Sequence, residues 1–127
     1  PALSTIIAQR LVRRVCSKCK QERAITEKEK MIFEKTLGSG DSKIPNKTSV
    51  AKGCELCSFT GFRGQFVVAE ALYIDDEMRD AILANKPAGD IHTLARWKGM
   101  TTMYEDGIKK VADGDTTLDE LHRVISG

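Results

Sequence analysis

The chemistry open to this sequence rests first on sulfur. Its four cysteines fall into two Cys-x-x-Cys pairs, Cys16 with Cys19 in CSKC and Cys54 with Cys57 in GCELCSFTGFRG. Two intervening residues let a tight turn aim both thiols at one ion, and two such turns complete the tetrahedron that Zn2+ accepts at sulfur distances of about 2.3 Å. Gly61, just past the second pair, lets the backbone curl so that N–H groups can point at sulfur. Lys18, Lys20, Lys52 and Arg63 lie close in sequence and would offset the negative charge of a four-thiolate zinc centre. Because Cys16, Cys19, Cys54 and Cys57 take all four positions, no place is left for a water nucleophile, and the expected role of the ion is structural.

Disulfides and redox chemistry compete with this reading. Four cysteines allow three pairings, but a chain without secretory features keeps its thiols reduced more often than not. A thioredoxin-like site needs one pair in a βαβ setting, which two pairs outside that setting do not provide. Structural zinc is the preferred reading. The 34 residues between Cys19 and Cys54 exceed the roughly 15–20 of a common zinc ribbon. An excursion from Lys20 to Lys52 must fill the gap. Closing a long loop is where a metal clip stabilises most, since the unfolded chain loses most freedom there.

Little else in the sequence is arranged for catalysis. His92 and His122 are thirty residues apart and lack metal-ligand spacing. Asp75, Asp76, Glu105, Asp106, Asp119 and Glu120 sit where helix starts and solvated faces want carboxylates. GSGDSK at residues 38–43 is not a phosphate cradle, because Lys43 precedes Ile44 rather than Ser or Thr and no apolar strand leads in. Trp97 and Tyr104 are expected to be packing anchors between helices. No catalytic or cofactor-binding residue is assigned.

The elements that must position the cysteines follow from composition and period. A chain of 127 residues, 41% hydrophobic and 30% charged with three prolines, is ordinary for one globular domain with one modest core. No apolar run approaches the roughly 18 residues a spanning helix needs, and the first fifteen residues lack a signal peptide's pattern, so the expected location is cytoplasmic. A net charge of +2 does not argue for nucleic acid, despite the local cluster of Arg10, Arg13, Arg14, Lys18 and Lys20. A zinc-ribbon-like nucleic-acid-binding module remains the alternative function.

Leu3, Ile7, Leu11 and Val15 recur every four positions, which predicts an amphipathic helix over 1–15 whose arginines complement the dipole at its C-terminal end. Its abrupt start at Pro1 suggests a piece of a longer protein. Thr26 and Glu29 form a capping box for a helix through Met31 and Ile32 that stops near Gly38. Residues 38–53 have no helical or strand period and predict a loop. GQFVVAEALYI, residues 64–74, predicts one or two short strands. Helices follow from Asp75 to Pro87, from Gly89 to Lys98 with Gly99 after it, through Met103, Ile108 and Val111 to Gly114, and from a capping box at Thr117–Glu120 to the end. The expected fold is α+β, mostly α: a small zinc-stapled subdomain with a short β element, then a C-terminal helical bundle. Domain boundaries are expected at 1–15, 16–72 and 73–127.

AQRLVRRVCSKCK, GCELCSFTGFRG and ARWKGMTTMYEDGIKKVADGDTTLDELHRVI, taken in order, resemble the C-terminal region of the type II secretion and type IV pilus assembly ATPases. Ala8-Gln9-Arg10-Leu11, the four cysteines, Gly61 with Gly64, Glu70, Gly99-Met100, Glu105-Asp106-Gly107 and Gly114 with Thr116-Thr117 carry the likeness. It departs after Gly64, where Gln65-Phe66-Val67-Val68-Ala69-Glu70 replaces the family's usual Arg-x-Gly-Ile-x-Glu. The resemblance implies a tetracysteine zinc subdomain and helical tail of a hexameric cytoplasmic motor ATPase, peripheral at the inner membrane. Its implied partners are neighbouring ATPase subunits and an inner-membrane platform protein, and nucleic acid is not favoured. ATP and Mg2+ would belong only to the parent chain, because these residues contain no Walker motif and should be inactive alone. Whether such a parent serves secretion, pilus extension or DNA uptake is not written in the sequence.

Overall fold

A computed structural model describes residues 5–38 and 44–125. In chain order the elements are β1 (Thr5–Val15), β2 (Gln21–Ala24), α1 (Glu27–Leu37), β3 (Lys47–Val50), a 3-10 turn (Glu55–Cys57), β4 (Phe62–Tyr73), α2 (Asp76–Leu83), α3 (Ala88–Trp97), α4 (Met103–Ala112) and α5 (Leu118–Ile125). The class is α+β and mostly α, as expected, although its strands are longer than the short β element foreseen.

The predicted helix over 1–15 is corrected: its described part, from Thr5, is a strand. A spacing of four is also twice the strand period, so Ile7, Leu11 and Val15 satisfy both templates. The β-branched Thr5, Ile6, Ile7, Val12 and Val15 favour the extended form. What decides is the partner, since β1 pairs antiparallel with the twelve-residue β4 from Thr5↔Tyr73 to Val15↔Phe62, with a bulge between Arg13 and Val15. The arginines therefore compensate no helix dipole. Arg13 stacks over Phe62 at 4.2 Å and Arg14 over Phe66 at 5.0 Å, contacts that gain cation–π attraction at the end of the ribbon.

The loop expected at 38–53 is corrected in part. Lys47–Val50 forms β3 and pairs antiparallel with β2, from Gln21↔Val50 to Ala24↔Lys47. The period was hidden because buried Thr48 and Ser49 are polar; Ser49 is accommodated by donating its hydroxyl to Gly114 O at 2.9 Å. Residues 39–43, with most of GSGDSK, lie outside the described residues.

Between β2 and β3, α1 begins with the predicted reciprocal cap of Thr26 and Glu29. It sends Phe33, fully buried, into the core, while Met31 faces solvent. That core joins Val12 of β1 and Val68 of β4 to Phe33, Ile108, Val111, Leu118 and Leu121. Helix α4 is its hub, packing on β4, α1 and α5. Gly107 makes the α4–α5 approach possible, because a Cβ there would overlap Leu121 Cδ1. Two carboxylates tie α4 to β4: Glu70 accepts the Met103 N–H and Asp106 accepts the Ala69 N–H, each at 3.0 Å.

The remaining helix limits follow the sequence closely. Asp75 caps α2 by accepting the Met78 N–H at 2.9 Å. Lys98, at the end of α3, bridges back to Asp75 at 2.8 Å and Glu77 at 3.0 Å, closing an α2–α3 hairpin. Trp97 is not a packing anchor: it is 88% exposed, because Ala95 is the α3 residue turned inward. Tyr104 does pack, stacking on His122 with its hydroxyl 3.0 Å from the ring Nε2. His92 is exposed.

Candidate metal centre

The ribbon brings the cysteine pairs together. Val15 faces Phe62 at the end of the β1–β4 ladder, so one pair begins where β1 stops and the other ends shortly before β4 starts. The Cys16 N–H donates to Gly61 O at 2.9 Å and the Val15 N–H to Asp115 O at 2.9 Å. These bonds carry the site on the backbone of the ribbon and of the turn before α5. On the other side, β2 and β3 leave and return as a pair, which holds the excursion's two stems side by side.

All four Sγ atoms lie within 4.8 Å of one another. Cys16 to Cys54 is 3.8 Å, Cys54 to Cys57 is 3.8 Å and Cys19 to Cys57 is 3.9 Å. A tetrahedron with metal–sulfur bonds of about 2.3 Å has edges of about 3.8 Å. The spacing therefore fits one tetrahedral ion, whereas a disulfide needs sulfurs about 2.05 Å apart. All four cysteines are free.

Backbone N–H groups converge on these sulfurs. Gly53 donates to Cys19 Sγ at 3.3 Å, while Cys54 and Gly61 both donate to Cys57 Sγ at 3.2 Å. Burial opposes ionisation of Cys57, yet the Cys54 and Gly61 donors bring its pKa down to about 6. Burial pushes the Cys19 thiol up to about 11 against the help of Gly53. Cys16 is lowered, first by the Cys19 N–H. An ion held here would fix all four groups as thiolates, and the N–H donors would spread their charge.

Gly61 is required for two reasons. Its φ is +82°, and a Cβ would lie 2.7 Å from the Ala51 backbone and side chain. The sequence marked this glycine, but it did not mark the Gly53 and Cys54 donors; the only local signal was a glycine directly before Cys54. The basic residues expected to offset the centre's charge, Lys18, Lys20, Lys52 and Arg63, are all exposed. Lys20 stands beside Gly114 at the α4–α5 turn.

A second polar cluster, missed by sequence reasoning, anchors the ribbon next to the sulfur site. The Thr117 hydroxyl accepts the Glu120 N–H at 3.1 Å, as a capping box requires. The Glu120 carboxylate is directed elsewhere. It accepts the Arg13 backbone N–H and guanidinium at 2.9 Å each, and two Arg123 bonds at 2.8 and 2.9 Å. Its side chain is fully buried. Burial opposes its charge, but the hydrogen bonds from Arg123 and Arg13 hold its pKa at about 2.

A sulfur tetrahedron at the end of a two-stranded ribbon, followed by four helices, can now be set beside known proteins. The family model described as Type II/IV secretion system protein matches residues 1–123. The chain belongs to that family. It is 42% identical over 121 residues to the type IV pilus assembly ATPase PilB of Thermus thermophilus, covering 94% of this chain and 13% of that protein. The type II secretion system protein E of Xanthomonas campestris is 35% identical over 126 residues, with 96% of this chain and 21% of that protein covered. PilB of Myxococcus xanthus is 31% identical over 121 residues, covering 94% of this chain and 21% of that protein. The chain thus spans no more than about a quarter of the curated relatives it matches. Within this secretion-family chain the segment from Gln65 to Glu70 lies in β4, and its Glu70 accepts the Met103 N–H at the start of α4.

Proposed function

We propose that this chain is the zinc-bearing C-terminal region of a motor ATPase of type II secretion or type IV pilus assembly, with a structural and interaction role rather than a catalytic one. One observation carries the reading: a sulfur tetrahedron of zinc-thiolate dimensions in a chain of this family. The ion, when bound, contributes a rigid cross-link. Cys16, Cys19, Cys54 and Cys57 supply the ligands and Gly61 permits the turn. The excursion they close, from Lys20 to Lys52, offers a surface to a neighbouring subunit or to a membrane platform protein. The parent in this reading is a cytoplasmic hexamer, peripheral at the inner membrane, that couples ATP hydrolysis to assembly of pilin-like subunits or to secretion.

The test is Cys54→Ser with Cys57→Ser in the full-length protein. Expected are a fall from about one zinc per chain to near none, together with impaired assembly or motor output. Unchanged zinc content with unchanged ATPase activity of the assembled protein overturns the reading. Tight, steeply salt-dependent binding of DNA or RNA would instead favour a nucleic-acid module.

A further inference from the structure

The turn that carries Cys54 and Cys57 is more strained, and more apolar on its outside, than holding a metal requires. Ser58 and Phe59 both stand in the left-handed region, at φ +54° and +62°, which glycine enters freely and other residues enter at a cost. The backbone fixes this shape without the ring: the Ser58 N–H donates to Glu55 O at 3.1 Å, the Phe59 N–H to Cys54 O at 2.8 Å and the Thr60 N–H to Cys57 O at 3.2 Å. Phe59 is 72% exposed and Leu56, three positions earlier, 45%. Neither belongs to the core or packs against it. A lone apolar side chain on a surface is ordinary. Here, however, the bulkiest side chain of the turn occupies a backbone conformation that suits glycine, and its ring fills no core. Strained positions of this kind gather where a partner is gripped.

The charges around the two side chains decide the occupant. Lys52 directly precedes Gly53, which approaches so closely that a Cβ there would lie 2.9 Å from Phe59 O. Lys18 sits in the facing turn between Cys16 and Cys19, whose sulfurs lie 3.8 Å from Cys54 Sγ and 3.9 Å from Cys57 Sγ respectively. Arg63 follows the turn. All three cations are exposed, and none is in an ion pair among the described residues. Glu55 is the only carboxylate in 16–20 and 51–64, where Lys20 adds a fourth cation. Even against Glu55 and the double negative charge of a four-thiolate centre, the four cations leave these turns net positive. Two exposed side chains on one turn offer far less than the roughly 800 Å² that each partner gives to a stable protein interface. A bilayer needs no matching surface: it takes aromatic and aliphatic groups at its acyl boundary and draws cations to anionic headgroups.

We propose that the Cys54–Thr60 turn is a membrane-contact tip, which seats Phe59 and Leu56 at the acyl boundary of an anionic phospholipid bilayer while Lys18, Lys52 and Arg63 meet headgroup phosphates. The chain then touches lipid directly, beyond any contact made through a platform protein. The proposal rests on the proposed function only for the ion that stiffens the turn.

Flotation of the full-length protein with phospholipid vesicles tests it. The protein should float with vesicles rich in phosphatidylglycerol and bind pure phosphatidylcholine at least about fivefold more weakly. Phe59→Gly removes the ring and suits the left-handed backbone, so it should lower the partition coefficient about tenfold while zinc content and Tm stay level or rise. Lys18→Gln with Lys52→Gln should flatten the dependence on phosphatidylglycerol. Unmutated protein that does not float, or Phe59→Gly that floats equally well, overturns the proposal. So does loss of zinc from Phe59→Gly, which would make the ring part of the fold. Self-association without vesicles that Phe59→Gly abolishes also overturns it, by assigning the tip to a second copy. Zinc measured on the same samples keeps the two readings apart: flotation that depends on Phe59 in protein without zinc sinks only the proposed function, and full zinc without such flotation sinks only this proposal.

Discussion

The sulfur excursion and the ribbon with its helices are held by different physics. From Cys16 to Gly61 the chain buries few large apolar side chains: Phe33 reaches the common core, while Met31, Leu56 and Phe59 are exposed. Its order comes from four converging thiols, three N–H donors to sulfur and a two-strand stem. The remainder is stabilised by burial, with Val12, Val68, Ile108, Val111 and Leu121 nearly or wholly inaccessible. In the proposed reading one region is conditional on an ion, and the other is conditional on packing. A segment that cannot bury enough apolar surface to offset its conformational entropy needs such a clip.

Removing the ion should break this comparison most visibly. Structural zinc sites contribute on the order of 10 kcal/mol at neutral pH. Chelation, or Cys54→Ser with Cys57→Ser, should raise amide exchange throughout residues 16–61 while α4 and α5 keep much of their protection. Loss of protection in both regions at once would show that the two are not separable.

Phe33→Ala attacks the fully buried side chain that the excursion sends into the shared core, where Ile25, Ile32, Leu37 and Ile44 pack only partly buried. Truncating a fully buried phenylalanine costs about 3–5 kcal/mol. Thermal melts should fall while zinc stoichiometry stays at one, because Phe33 is no ligand. Loss of zinc in that variant would mean that packing, not the stem, presents the thiols.

Each region also has one strongly acidic carboxylate, so pH sharpens the contrast. Glu120, in the packed region, is held at about 2, below the ordinary 4.5 of an unfolded glutamate. Its stabilisation is fully present above about pH 4.5 and is lost as pH falls from there through about 2, an effect of roughly 3 kcal/mol. Glu120→Gln should remove much of that acid sensitivity in denaturant titrations.

Gly61→Ala forces a side chain into a left-handed turn and against Ala51. It should cost more than about 1 kcal/mol, read as weaker zinc retention in a chelator competition with the α4–α5 core unchanged.

The smallest expected effect is that of Glu29→Gln in the excursion. Hydrogen bonds from Arg23 at 2.7 Å hold Glu29 at about 2, so its contribution is lost over the same acid range. Arg23 is half exposed, and solvent screening should hold the loss to about 1 kcal/mol or less. An effect equal to that of Glu120→Gln would show that burial is not what separates the two carboxylates.

Much of the candidate site was legible. Cys16, Cys19, Cys54 and Cys57 were readable because a two-residue spacing constrains two thiols through a single turn, whatever surrounds them. Gly61 was readable for the same local reason. The caps at Thr26, Asp75 and Thr117 and the helix ends near Gly38, Gly99 and Gly114 were also local, since a cap needs only residues three or four apart. The state of residues 5–15 was not, because a period of four fits both a helix and a strand.

By itself, then, the sequence determined the two pairs of thiols, the punctuation of the helices and the length of the excursion, all properties of residues near one another along the chain. The tertiary structure decided that β1 would be a strand by giving it β4 to pair with. It also turned Glu120 from a helix cap into the anchor of Arg13, more than a hundred positions away. It left Trp97 in solvent and divided the apolar residues of β1 and β4 between the core, with Val12 and Val68, and an exposed set, with Ile7, Leu11, Val67 and Tyr73. Each of these depends on pairing or packing between distant segments, whose free energy no local pattern records.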